Sequence, residues 1–309
     1  MTRLEEVSYR GWPHCLKLSN GPLEMIITLD VGPRIIRLGI EGKPNLFHEF
    51  PEQAGQRSGT EWMSFGGHRL WHAPEVYPRT YAPDFDPVEY QWKDDVLTLT
   101  SRAEPSTGLS KKIVVSFDRG RVHLRHHLIN HNPWTIEVAP WCLSVMTPGG
   151  VAVVPQEDYF PHPDVLRPAR PLILWHFTKM NDPRFVWGDS FIQLHGDRQA
   201  VGKQKFGVTN TKGWAAYFVD GHLFMKSVAF QKEARYPDLG RNCEFYTEPD
   251  FLEVETLGPL TKLEPEGEAV HEEFWRVWND LPPLPPDDPA LGKFMAPLVS
   301  DFLAGGKHA

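Results

Sequence analysis

The chain has 309 residues, 41% of them hydrophobic and 23% charged, with a formal net charge of −8 and no segment where Lys and Arg cluster. That balance disfavours nucleic acid, whose binding rests on phosphate neutralisation, and no apolar run approaches the roughly 20 residues of a membrane helix. Three widely spaced cysteines (Cys15, Cys142, Cys243) suggest neither a disulfide framework nor zinc pairing, and no apolar signal core follows Arg3, so a cytoplasmic protein is expected.

Taken in chain order, alternating apolar residues mark short strands. Leu23, Met25, Ile27 and Leu29 share one strand face, and Ile36, Leu38 and Ile40 share the next. The segment Gly66-Gly67-His68-Arg69-Leu70-Trp71-His72-Ala73-Pro74-Glu75 then reads as a glycine-rich loop, the densest polar and aromatic patch in the chain. Glycines let a backbone approach a ligand closely. There His68, Arg69 and His72 would donate to hydroxyls while Trp71 stacks on a ring, and Arg69 would suit a carboxylate or phosphate. The competing reading is a structural turn with surface histidines.

Period-two patterns continue at Leu97 and Leu99, at 110–117, and at Val122, Leu124 and Leu128. On the last strand His123, Arg125 and His127 share a face and His126 takes the other. It offers no carboxylate partner, so no metal is expected. Segments 191–195, 213–219, 222–229, 251–257 and 270–278 also read as strands, with turns such as Asp118-Arg119-Gly120 and Asp220-Gly221 between them. With 29 prolines and 25 glycines, the chain is predicted to be all-β, a large antiparallel β-sandwich over 1–280. Residues 281–309 form a second region. Leu281-Pro282-Pro283-Leu284-Pro285-Pro286 is expected as an extended strap, and a short helical tail follows near Leu291 to Leu303, where Pro297 should break or restart the helix.

The strand Phe251-Leu252-Glu253-Val254-Glu255-Thr256-Leu257 places Phe251, Glu253, Glu255 and Leu257 on one face. Two carboxylates there repel each other and lose hydration beside large apolar neighbours, which raises a carboxyl pKa toward the range of a general base. The competing reading is a solvated edge carrying two exposed acids.

Glu244-Phe245-Tyr246-Thr247 resembles the Phe-Tyr-Thr strand of aldose 1-epimerases, and the acidic strand resembles the one after it, which carries their catalytic glutamate. Leu263-Glu264-Pro265-Glu266-Gly267-Glu268, with His271 and Trp275 beyond it, resembles their closing turn and final strand with one residue more. Gly32-Pro33-Arg34-Ile35 resembles an opening Gly-Gly-Arg-Ile turn. The resemblance implies a galactose mutarotase-like supersandwich, a sugar or acidic sugar derivative as partner, and no cofactor. It implies Glu255 as the base, with Glu244 as second choice because it precedes Pro249-Asp250 at a similar spacing.

Mutarotation also needs an acid at the ring oxygen. The family supplies it from a histidine, and Trp141 stands about where that histidine belongs. His68 or His72 is the substitute acid. Arg69, Trp71, Glu75 and Trp141 are candidate binding residues, as is Asp189, whose Trp187-Gly188-Asp189-Ser190 setting resembles a substrate-binding aspartate segment. Two functions therefore stand: an aldose 1-epimerase-like isomerase, or a carbohydrate-binding sandwich that has lost its acid. A metal-assisted sugar lyase or epimerase using the histidine-rich strand ranks below both.

Overall fold

The computed structural model describes residues 2–305. The strands are β1 (Thr2–Tyr9), β2 (Trp12–Asn20), β3 (Leu23–Thr28), β4 (Arg34–Ile40), β5 (His68–Ala73), β6 (Glu89–Lys93) and β7 (Val96–Thr100). Next come β8 (Leu109–Asp118), β9 (Arg121–Asn130), β10 (Ile136–Met146), β11 (Val151–Pro155), β12 (Leu172–Leu174), β13 (Phe185–Trp187) and β14 (Phe191–His195). The rest are β15 (Gln204–Val208), β16 (Trp214–Val219), β17 (His222–Ser227), β18 (Cys243–Glu248), β19 (Phe251–Leu257), β20 (Thr261–Leu263) and β21 (Glu268–Trp278), before helix α1 (Asp288–Ala304).

They build the predicted sandwich. One sheet has eleven strands, in the order β1-β2-β3-β4-β5-β10-β19-β18-β15-β12 with β20 paired to β10. The other has ten, in the order β13-β14-β11-β16-β17-β21-β9-β8-β7-β6. Inward residues such as Leu16, Met25, Leu38, Leu99, Ile113, Leu124, Phe224 and Trp275 interdigitate as one core. The alternation seen in sequence is an alternation of faces, because β-strand side chains point to opposite sides of the sheet in turn, and in central strands such as β19 both sides are buried.

Two expectations change. His68 to Ala73 is a central strand of the first sheet, buried throughout, and not a loop. The preceding glycines serve this packing: a Cβ on Gly66 would lie 2.0 Å from the His48 carbonyl oxygen, and one on Gly67 would lie 2.4 Å from that of Ile35. What they admit is the adjoining backbone of the same chain, at His48 and Ile35.

Helix α1 also runs unbroken through Pro297. Asp287 caps it, accepting from Ala290 N at 2.9 Å. Leu291, Met295 and Phe302 bury themselves against Val153, Trp214, Ala216 and Met225 of the second sheet. That apolar contact offsets the hydrogen bond a mid-helix proline gives up.

Candidate functional site

The outer face of the first sheet carries a cleft of about 430 Å³, within the range of small-molecule sites. Strand alternation and register build it. Trp71, Trp141 and Leu257 lie in one cross-strand row, and Arg69, Leu143, Glu255 and Glu244 in the next. Val145, Glu253, Tyr246 and Lys205 form a third. Trp62, Tyr81, Trp175 and Phe177 complete the walls from flanking segments.

The charges are stacked and paired. Arg69 sits over Trp71 at 4.5 Å and donates from Nη2 to Glu253 Oε1 at 3.0 Å. Lys205 lies between Trp141 and Trp175, 4.8 and 4.6 Å from the ring centres. Its ammonium reaches Glu244 Oε2 at 2.8 Å and Glu255 Oε2 at 3.1 Å, and the latter oxygen also accepts from Trp141 Nε1 at 2.8 Å.

Burial pulls Lys205 toward neutrality, but Glu244 and Glu255 outweigh it and hold the ammonium firmly charged. Burial pushes the Glu244 carboxyl well up, and the Glu255 charge adds to this against the pull of Lys205. Glu253 is raised to about 7 by burial, with Arg69 opposing and Glu255 adding to the rise. Glu253 therefore lines the cleft and titrates near neutrality, while Glu255 is fully buried and clamped by Lys205 and Trp141.

The predicted site residues separate accordingly. Arg69, Trp71, Glu75 and Trp141 line the cleft, with Glu75 accepting a hydrogen bond from the Tyr81 hydroxyl. Glu255 and Glu244 form the ionic layer holding Lys205. Asp189 lies elsewhere, in a depression beside Met295 and Val299 of α1. His68 and His72 leave the cleft altogether, because alternation along β5 turns them inward when Arg69 and Trp71 face out.

Inside the sandwich His68 belongs to a polar cluster. Its Nε2 lies 2.8 Å from His126 Nε2, and its Nδ1 lies 3.0 Å from Ser144 Oγ. The Lys226 ammonium pairs with Glu273 at 2.9 Å, and Glu273 also accepts from Trp275 Nε1 at 2.7 Å and from the Thr256 hydroxyl. Although burial opposes it, the adjacent Lys226 charge holds Glu273 far below its ordinary range. Burial lowers His126 to about 4 and His271 to about 3, so these imidazoles are neutral.

Two donor triads here have metal-like spacing: His68, His126 and Cys142, and Cys142, His271 and Glu273. Lys226 already supplies a cation at Glu273, and the two imidazole nitrogens are close enough to share a proton. The cluster is balanced without an ion.

Sequence reading missed Lys205, Trp62, Trp175, Phe177 and Tyr246, and treated Glu253 only as a neighbour of Glu255. One signal was available: Lys205 stands beside the run Phe206-Gly207-Val208 in a short buried strand, next to the inward Phe206.

No family model matches the chain, and no curated protein does. Solved structures do resemble it in shape. A TPR-domain containing protein from Parabacteroides distasonis superposes with a TM-score of 0.56 at 14% identity over 87% of this chain, which spans only 47% of that protein's length. A galactose mutarotase-like protein from Lactobacillus casei gives 0.55 at 10% identity, covering 85% of this chain and 100% of its own. Another from Clostridium acetobutylicum gives 0.54 at 9% identity over 90% and 99% of the two chains. With its two antiparallel sheets and C-terminal helix, the chain has the galactose mutarotase-like fold.

Proposed function

We propose that the protein binds a sugar in the tryptophan-walled cleft and interconverts its anomers by acid–base chemistry, with Glu253 as the proton-transferring carboxyl. The observation that carries this reading is a carboxyl raised to about 7 on a cleft wall shared with Trp71, Trp141 and Trp175. A group poised near the working pH passes protons most efficiently in both directions. Indole faces suit the apolar faces of a pyranose, and Arg69, Lys203 and Lys205 would also accept an acidic sugar.

In this mechanism ionised Glu253 takes the proton of the anomeric hydroxyl. The bond between C1 and the ring oxygen breaks, O1 becomes the carbonyl oxygen, and the departing ring oxygen takes back, through a water molecule, the proton that Glu253 has just received, so that Glu253 ends ionised again. Glu253 and Lys205 stand two strand spacings apart, about 10 Å between backbones, so their side chains bracket a ring. Lys205, held charged, stabilises the oxygen on which negative charge develops. Glu255 and Glu244 anchor Lys205 from behind. Rotation of the aldehyde and reclosure give the other anomer.

Exchange NMR across a panel of hexoses, pentoses and uronic acids tests this. Wild type should accelerate anomer exchange for at least one sugar, and Glu253→Gln should abolish most of that while still binding the sugar. Exchange no faster than buffer for every sugar, or a fully active Glu253→Gln, would sink it.

A second reading, sugar binding without catalysis, is favoured by one observation: no histidine is among the cleft-lining residues. Saturable binding with exchange at the buffer rate would select it.

A further inference from the structure

The segment after β5 displays a tyrosine that the core does not use. Tyr77 is 82% exposed, which for a ring of that size forgoes the burial stabilising most aromatics. Its turn is nevertheless well held. Thr80 is buried, its hydroxyl accepts from Val76 N at 3.0 Å, and its own N–H donates to the Val76 carbonyl at 2.9 Å; Tyr81 N donates to the Pro78 carbonyl at 3.0 Å.

Tyr77 is also the outer end of a continuous aromatic path. Its ring lies 5.8 Å from Tyr81, Tyr81 lies 5.3 Å from Trp62, Trp62 lies 5.1 Å from Trp71, and Trp71 lies 5.4 Å from Trp141. All but Tyr77 line the cleft, and so does the Glu75 carboxylate beside it.

We propose that Tyr77 forms an outer subsite for a second sugar ring, so that the preferred ligand is a reducing oligosaccharide with its terminal ring in the cleft. The inference rests on the sugar-binding reading of the cleft. A preformed, exposed ring adds stacking without the cost of ordering its loop. Exposed Glu75 and Arg79 flank it in the same turn and supply acceptor and donor groups for hydroxyls of that ring. The path of rings gives both sugar units an apolar face along one continuous wall.

Titration calorimetry with glucose, galactose, maltose, cellobiose, lactose and maltotriose tests the subsite. Wild type should bind its best disaccharide about 3- to 10-fold tighter than the matching monosaccharide, the range expected for one stacking contact. Tyr77→Ala should erase that excess and leave monosaccharide affinity within about 2-fold, whereas Tyr77→Phe should keep it. Equal affinity for both lengths in wild type overturns the proposal, as does a Tyr77→Ala variant that weakens both lengths alike or neither. Gain from a nitrophenyl glycoside but not from a disaccharide would reassign Tyr77 to an aryl aglycone and also overturn it. Failure of every sugar to bind would refute the cleft reading itself, an outcome distinct from loss of the subsite alone.

Discussion

Replacing Lys226 by Met tests whether the interior charge pair is as tightly balanced as its geometry implies. Lys226 and Glu273 both have no solvent exposure, and the ammonium pairs with Glu273 at 2.9 Å and donates to Ser144 Oγ and the Val254 carbonyl at 3.2 Å. Methionine keeps most of the buried stem, so the change isolates the charge. Glu273 is then left as an ionised carboxylate in the core, with the Thr256 hydroxyl and Trp275 N–H as its remaining hydrogen-bond donors among the described residues and neutral His271 close by. Removing one partner of a buried pair costs about 3–5 kcal/mol. With a urea slope near 3 kcal/mol per molar, this moves the unfolding midpoint down by roughly 1–1.7 M. Far-UV circular dichroism against urea at pH 7.5 reads the shift. Lys226→Met/Glu273→Gln should regain most of it, since both charges are then gone. The penalty should also shrink at pH 5, where a neighbouring imidazole can take a proton in place of the ammonium. A single variant losing less than about 1 kcal/mol, or a double variant no better than the single, would refute the reasoning.

Wild-type stability should fall on acidification. His126 and His271 have folded values near 4 and 3, below the unfolded value, so their contribution is present above about 6.5 and is lost as pH falls toward 4; each adds at most about 1.4 kcal/mol per pH unit, checked by thermal unfolding between pH 7.5 and 4. His72→Leu should be neutral or stabilising in the same assay, because both ring nitrogens are buried without a partner among the described residues. Gly67→Ala should cost about 1–3 kcal/mol, since φ is +71° and the new methyl meets the Ile35 oxygen at 2.4 Å. Anomer-exchange rate should rise as pH climbs through about 7, where Glu253 loses its proton, and a profile flat from pH 5 to 9 would exclude it as the base.

Much of the fold was legible from short apolar-patterned runs set between turn residues, and the half-buried strands β7 and β21 alternate most plainly. Strands β3, β4, β7, β8, β9, β14, β16, β17, β19 and β21 were all readable in this way. β5 was not legible: its six residues are all buried, so polar His68, Arg69 and His72 stand where a core pattern expects apolar ones. Their polarity is answered only by partners far along the chain, Glu253 for Arg69 and His126 for His68, which local periodicity cannot reveal. Glu253 and Glu255 were correctly placed on one face. Which of them meets the cleft depends on Lys205, a residue fifty positions from Glu255. The helix through Pro297 was misread for a similar reason, since its stability comes from the sheet beneath it.

The same alternation explains how one sheet carries two opposed sets of charges. Along β5, β10 and β19, successive residues send Arg69, Leu143 and Glu255 outward and His68, Ser144 and Thr256 inward. Lys205 balances the outer carboxylates and Lys226 the inner one. A slip of β5 by one residue would bring Arg69 into the core without Glu253 and push His68 into the cleft without His126. Both faces would then hold buried groups without partners, each costing more than an apolar mismatch. The register that sets Arg69 beside Glu253 is therefore penalised against error from both sides of the sheet. A cleft whose Glu253 carboxyl is tuned by Arg69 and Glu255 needs that fixed register, because side chains displaced by one position would no longer share a wall.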